Sequence, residues 1–529
     1  MTAAAFIIAL AGIASRVLGL VRDRILAAQF GAGDTLDIYY AAFRIPDLLY
    51  NLLILGAMSA AFIPVFTSLI SREKKDDAWE LASGILNLQT LLLVIFSIIV
   101  AFFAPVIMRF LTPGFPIEKM ESVGVFTRIM LLSPILLGIS AIYGGILVSL
   151  KKFLIYSLAP LMYNIGIIVG ALFFVKFWGP IGLAWGVVLG AFLHMLIQYP
   201  AVKFSGFKFT LKLLHFAKNN DVRKVFYLMI PRTLGIAVTQ INLLVITIFA
   251  STLNSGSLSI FNFANNIQSA PLGIFGISFA VAVFPMLSSF AAKNEEKEFS
   301  KIFSETFLKI LFFIIPISVF ILILRAQIVR VFLGSGKFDW EDTHLTVATL
   351  GFLVLSLFAQ SLIPLLTRSF YALQNTKTPF YIALVSEAIN ISLVILLIDK
   401  FSVQGLAIAF SVSSIANASI LFFVLRLKHK LIESGKILLG FFKISLAAVG
   451  AGGMIQMAKM AVASAMNIDT FVGIFMQLFL AGFLGSVVFI YLCFRLDIEE
   501  LRHFQKSMTR KIFRAKDSIS EDTGEISGI

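Results

Sequence analysis

The chain has 529 residues, of which 59% are hydrophobic and only 14% charged. Its mean hydropathy of +0.95 excludes an ordinary soluble domain, in which about a quarter of residues are charged. The formal charge of +14 suggests an anionic partner, but the basic residues follow the loops rather than one patch, which removes nucleic-acid binding from consideration.

Apolar runs of about 20 residues or more recur to the end, each able to cross roughly 30 Å of hydrocarbon. They predict an all-α polytopic membrane protein with 14 spans near 3–29, 36–69, 80–111, 122–150, 154–177, 180–202, 225–252, 260–291, 302–333, 345–373, 379–398, 403–425, 437–466 and 470–494. The first run reads as a retained span, because it is long and broken by charge. With the N-terminus placed inside, the inner loops carry 19 Lys and Arg residues and the outer loops four: Lys119, Lys176, Lys337 and Lys400. The positive-inside rule therefore predicts N-in and C-in.

The first span contains "SRVLGLVRDRIL", residues 15–26. A charge at the centre of a span costs at least about 2.5–3.5 kcal/mol, so charges that persist there are functional candidates. Gly12, Arg16, Gly19, Asp23 and Ala27 fall within about 80° of one another on a helix. Arg16 is roughly 20 Å from the inner end, too deep to snorkel easily. Arg22 lies beside this stripe, and Arg24 points away from it near the outer end. An ion pair between Arg16 and Asp23 is the plain alternative, disfavoured by a separation of about 10 Å along the axis.

The second span opens "DIYYAAFRIPDLLYN". Asp37 is near the outer face, and Arg44 is roughly 12 Å deep, close to the level of Arg16. Pro46 and Pro64 are expected to interrupt the helix and free backbone groups toward a cavity. Guanidinium groups at one depth form forks suited to phosphate or carboxylate.

Further along, Arg128 and Lys459 near outer ends and Arg232 near an inner end read as snorkelling cations. Arg368 and Glu387 lie at similar depth, and an ion pair between them is the plain reading; a proton or cation site at Glu387, with Asn390 nearby, is the sharper one. The segments "PGF" (113–115) and "GSGKFDWEDTH" (334–344) read as outer loops. The lone Cys493 excludes an intrachain disulfide, the five histidines lack metal-ligand spacing, and no phosphate-binding glycine loop or hydrolase elbow is present. No metal site, cofactor or enzymatic activity is expected.

The chain also looks duplicated. "IYYAAFRI" (38–45) resembles "IFNFANNI" (260–267) at an offset of 222, Ala60 and Phe62 match Ala282 and Phe284, and "IGLAWG" (181–186) resembles "QGLAIA" (404–409) at 223. The expected organisation is a six-helix lobe over 1–203, a cytoplasmic linker over 204–224, a pseudo-symmetric six-helix lobe over 225–426, two further helices over 437–495, and a cytoplasmic tail over 496–529. An even number of spans per unit makes the two lobes parallel repeats. Two lobes with a cleft between them are the architecture of a transporter.

"SRVLGLVRD", "FGAG", "LDIYYAAFRIPDLL" and "GAMSAAFIPVF" resemble the start of the MurJ/MviN lipid II flippases. "GILVSLKKFLIYSLAPLMYNI" (145–165), "QINLLVITIFAS" (240–251) and "FYALQNTKTP" (370–379) follow in the same order. The resemblance implies a carrier in the bacterial inner membrane that moves undecaprenyl-diphosphate-linked peptidoglycan precursor from the inner to the outer leaflet. It implies cavity arginines at Arg16 and Arg22, a basic position at Arg44 and an acidic outer gate at Asp37. Asp23 and Ala27, on the first-span stripe, are expected to belong to that gate, and Arg24, an extra arginine in this chain, to be a compensating substrate contact. Membrane lipids and other cell-wall synthesis proteins are the expected partners, and coupling to membrane potential or a monovalent cation is expected because moving one charge through 100 mV is worth about 2.3 kcal/mol. The chain departs from the family pattern at Tyr50, Asn51 and Asn266, where basic residues are usual, and at "LGA" (55–57) in place of "EGA". The rival expectations are a flippase for another polyprenyl-linked oligosaccharide and a cation-coupled drug exporter of the same superfamily; a membrane enzyme would need an interfacial His or Asp cluster.

Overall fold

The computed structural model describes residues 2–55, 62–210, 240–428 and 434–502. Most of the expected linker, Arg232, residues 56–57 of "LGA" and the tail from residue 503 lie outside them. Among the described residues there is no strand. Eight helices are long and apolar enough to cross a membrane, or nine when the pair Trp340–Val354 and Leu357–Ala372, bent by 44°, is taken as one span. Two of the eight reverse within themselves, after Gly179 (φ +62°) and at Ser402 (φ +50°). Helix occupies at least part of every one of the 14 expected spans.

The chain forms two compact units. The first comprises Met1–Ile267, Phe332–Leu353 and Thr376–Ser413; the second comprises Gln268–Val331, Val354–Asn375 and Ser414–Ile529.

The first unit has an apolar core around Phe62, Phe66, Leu81, Leu93 and Ile142, all fully buried. Beside it, helix Phe153–Val169 packs on helix Gly182–Leu196 along a glycine seam. A Cβ at Gly166 would lie 2.2 Å from Gly190, and one at Gly170 would lie 2.4 Å from Gly186. Within lipid there is no hydrophobic drive between helices, so this close backbone approach supplies the contact energy. Gly186→Leu is expected to force the pair apart and to abolish recovery of monodisperse protein in detergent. Recovery at the wild-type level would remove the seam from the stability of this unit.

Proline acts differently from the expectation. Helix Asp34–Tyr50 runs straight through Pro46, and Pro64 sits in the first turn of helix Ile63–Ser71. The missing N–H of Pro46 frees the carbonyl of Ala42 four residues back, and Thr127 Oγ1 donates to it at 3.4 Å. Pro105 frees Ala101 O in the same way, and Arg128 Nε donates to that carbonyl at 3.0 Å. Arg128 is therefore a backbone partner at a proline and not simply a snorkelling cation. The irregularity in the second span comes later, as a π-helical turn over Asn51–Leu55, where Asn51 Nδ2 donates to Asp47 O at 2.8 Å. A second π-turn covers Leu272–Ile277, 221 residues further on, close to the offset of the sequence repeat.

In the second unit, helices Glu296–Phe332, Ser434–Ala465 and Phe471–Arg495 close around Leu324, Ile455 and Ala481. An apolar cavity of about 270 Å³ lies between Phe307, Leu362, Phe422 and Phe441, with Arg426 on its lining.

Candidate functional site: charged spans and a sealed end in the first unit

Helix Thr2–Phe30 carries the charged stripe. Arg22 donates from Nε and Nη2 to Asp23 Oδ1 at 3.0 and 2.8 Å, and from Nη1 to Asn164 Oδ1 at 3.1 Å. The other oxygen of Asp23 accepts from Asn266 Nδ2 at 2.9 Å. Asp23 is thus engaged by Arg22 and Asn266, which replaces the alternative pairing with Arg16. Asn266 spends its amide on that carboxylate.

Arg44 is buried, and its fork is held by neutral acceptors. Nε donates to Thr247 Oγ1 at 2.7 Å and Nη2 to Asn262 Oδ1 at 2.8 Å. One turn on, Asp47 sits in the fields of both Arg44 and Arg22. Sequence reasoning passed over Asp47, although "FRIPDLL" places it three residues after Arg44, on the same helix face. Arg22 is therefore paired with Asp23, and Arg44 shares the field of Asp47.

Arg16 is exposed at mid-span, about 9 Å along the helix from Arg22. Arg24 is half-buried on another face of the same helix. The structure brings Arg22, Asp23, Arg44 and Asp47 into one polar cluster, and leaves Arg16 on accessible surface.

One end of this unit is closed by carboxylates meeting backbone donors. Asp37 is 1% exposed. Its Oδ1 accepts from Ser259 N at 3.0 Å and Ser259 Oγ at 2.8 Å. Its Oδ2 accepts from Gly256 N at 2.8 Å and Lys119 Nζ at 3.1 Å. Asp37 thereby binds the first N–H groups of helix Ser257–Pro271, the positive end of its dipole. Lys119 also donates to Asp34 at 2.5 Å, and this bond, with one from Ser255, holds the Asp34 carboxyl below the usual carboxylate range.

A second latch lies beside the first. Asp342 Oδ2 accepts from Ala32 N at 2.8 Å, and Lys337 N donates to Ala28 O at 2.8 Å. The approach needs glycine: Gly336 (φ +61°) would carry a Cβ 2.2 Å from Ala28 O, and Gly256 (φ +89°) one 2.0 Å from Ala32 O. Ala27 is fully buried beneath these contacts.

Glu387 is buried away from this seal. Its Oε2 accepts from Asn242 Nδ2 at 2.6 Å and its Oε1 from Asn390 Nδ2 at 3.4 Å. The anticipated Arg368 partner is thus replaced by two neutral amides. Their own oxygens, Asn242 Oδ1 and Asn390 Oδ1, are buried without hydrogen-bond partners among the described residues. Among the described residues no group of three His, Cys, Asp or Glu side chains could hold a metal ion.

Apolar spanning helices, charged groups at mid-span and a polar seal at one end define a membrane transporter. A solved structure titled as an inward-facing multidrug resistance MATE transporter of the MOP superfamily matches with a TM-score of 0.65 over 80% of this chain and 99% of that one. At 13% identity that likeness is one of fold. The family described as lipid II flippase MurJ matches residues 26–491, and the chain belongs to that family. It is 29% identical to a probable lipid II flippase MurJ of Buchnera aphidicola, over 93% of this chain and 97% of that protein. It is 30% identical to one of Bdellovibrio bacteriovorus, over 95% and 96%. A solved lipid II flippase MurJ, titled as an inward closed conformation, is 27% identical with a TM-score of 0.74, over 92% of this chain and 98% of that one.

Proposed function

We propose that the chain carries lipid II, the undecaprenyl-diphosphate-linked peptidoglycan precursor, from the inner to the outer leaflet of the bacterial cytoplasmic membrane by alternating access. Membership of the flippase family over residues 26–491 is the observation that carries this reading. The chain is a translocator with no catalytic residues of its own. Arg16 receives the diphosphate, because it is exposed at depth, whereas the forks of Arg22 and Arg44 are held by Asp23, Asn164, Thr247 and Asn262. Arg24 adds charge on the same helix. The prenyl tail lies along the last two spans, where the apolar cavity between Phe307 and Phe441 offers hydrocarbon-lined space. Depletion of the protein followed by labelling of outer-leaflet precursors tests the reading. Loss of outer lipid II with inner accumulation is expected; an unchanged outer pool would refute it.

Both termini are placed in the cytoplasm by the loop charges. A reporter fused after Ile529 should be active only in its cytoplasmic form, and periplasmic activity would overturn the orientation.

Glu387 and the two free amide oxygens beside it supply hard oxygen ligands for a monovalent cation, which makes this cluster the coupling site. Glu387→Gln keeps the shape and removes the charge. Transport by this variant should stay measurable but lose its response to the cation in proteoliposomes; an unaltered response would take Glu387 out of coupling.

A further inference from the structure

Helices Glu296–Phe332, Ser434–Ala465 and Phe471–Arg495 of the second unit bring two cations together about 10 Å short of their Phe332, Ala465 and Phe471 ends. Arg325 Nη1 donates to Leu322 O at 2.7 Å, and Lys459 Nζ donates to the next carbonyl, Ile323 O, at 3.3 Å. The two are close enough to repel each other. Neither forms an ion pair with a described carboxylate. A snorkelling cation reaches toward the nearer interface. These two instead bond to carbonyls of residues that precede Arg325, on the membrane side of it.

Their donors are mostly unspent. A guanidinium has five N–H groups and an ammonium three, and each has one acceptor here. The neighbouring amides tie the helices together without neutralising the cations. Gln327 Nε2 donates to Gln477 Oε1 at 2.8 Å, and Gln477 Nε2 donates to Lys459 O at 2.7 Å, which ties the three helices together at this level. Arg325 and Lys459 are half-buried, and Met457 and Met460 next to Lys459 are exposed, so the pair is approached sideways through lipid.

A like-charged pair at low dielectric, with several free donors and lateral access, calls for an anion with several oxygens that arrives within the bilayer. We propose that Arg325 and Lys459 bind a lipid-anchored phosphate in the leaflet at the Phe332 end of these helices. That leaflet is the outer one on the orientation proposed above. Two sources share this chemistry: a resident anionic glycerophospholipid, or the diphosphate of a polyprenyl lipid after it has left the central path.

The test uses the full chain carrying Arg16→Ala, so that the central site does not contribute, in detergent with added lipid and native mass spectrometry as readout. The probes are phosphatidylglycerol, phosphatidylcholine and undecaprenyl diphosphate. Relative to phosphatidylcholine, whose phosphate is neutralised by its own choline, retention of one of the two net-anionic lipids should be about tenfold stronger, as expected for charge-assisted hydrogen bonds. The preference should vanish when Arg325→Gln and Lys459→Gln are added. Preference for phosphatidylglycerol supports a resident phospholipid, and preference for undecaprenyl diphosphate supports the departing substrate. Lys459→Glu guards against misfolding: it gives Arg325 an internal counter-ion, so lipid retention should fall while the melting temperature holds or rises. Equal retention by the parent and the charge variants would overturn the proposal and leave the reading of Arg16 untouched.

Discussion

Arg16→Ala should abolish transport while the protein remains in the membrane at its normal level. Removing a deep charge makes the first span easier to insert, by about 2.5 kcal/mol or more on translocon scales. The diphosphate loses a bidentate partner where charge-assisted hydrogen bonds are strong. Arg22 and Arg44 cannot stand in, because their forks are held by Asp23, Asn164, Thr247 and Asn262. Arg16→Lys keeps the charge without the fork and should rescue only in part. Complementation of a depleted strain beside an immunoblot of membrane fractions decides the matter. Full growth on Arg16→Ala would mean that Arg16 is not a substrate ligand.

Asp37→Ala should open the sealed end. The change strips an acceptor from two backbone N–H groups, the Ser259 hydroxyl and Lys119, all at a buried position. Lys119 keeps Asp34, but the orphaned buried donors cost roughly 3 kcal/mol together, which shifts the closed-to-open ratio about a hundredfold. Ala27→Cys offers a reporter, since Ala27 is fully buried beneath the seal and the native Cys493 is also buried. Its labelling by an impermeant maleimide added outside should accelerate strongly in the Asp37→Ala background, and transport should fall. Unchanged protection of the cysteine would place the barrier elsewhere, with the latch at Asp342 the next to examine.

Much of the helical architecture was legible because length and apolarity alone decide whether a segment can span. The charged residues of the first two spans stood out for the same reason, as exceptions in an apolar run. Their partners did not. Arg44 meets Thr247 and Asn262 across more than 200 residues of sequence, and no local pattern announces such a contact. Glu387 was matched by depth to Arg368, but depth leaves rotation about the helix axis open, and Asn242 and Asn390 occupy its carboxylate. Asp47 carried no such mark: in "FRIPDLL" it reads as a local neighbour of Arg44, and only the fold brings it into the field of Arg22 as well. The loop 334–344 was read only as a connection, whereas Gly336 and Asp342 make it a latch whose shape depends on a left-handed glycine. Proline misled through its commonest effect: Thr127 and Arg128 repair the broken ladders from neighbouring helices, information that lies outside the proline's own segment.

Asp37 and Ser259 are 222 residues apart, the offset at which "IYYAAFRI" resembles "IFNFANNI". That similarity pairs the two positions, and they carry unlike residues. Aspartate on one side and serine on the other set an acceptor against donors. Two aspartates would repel each other, and two serines would leave Lys119 with Asp34 alone.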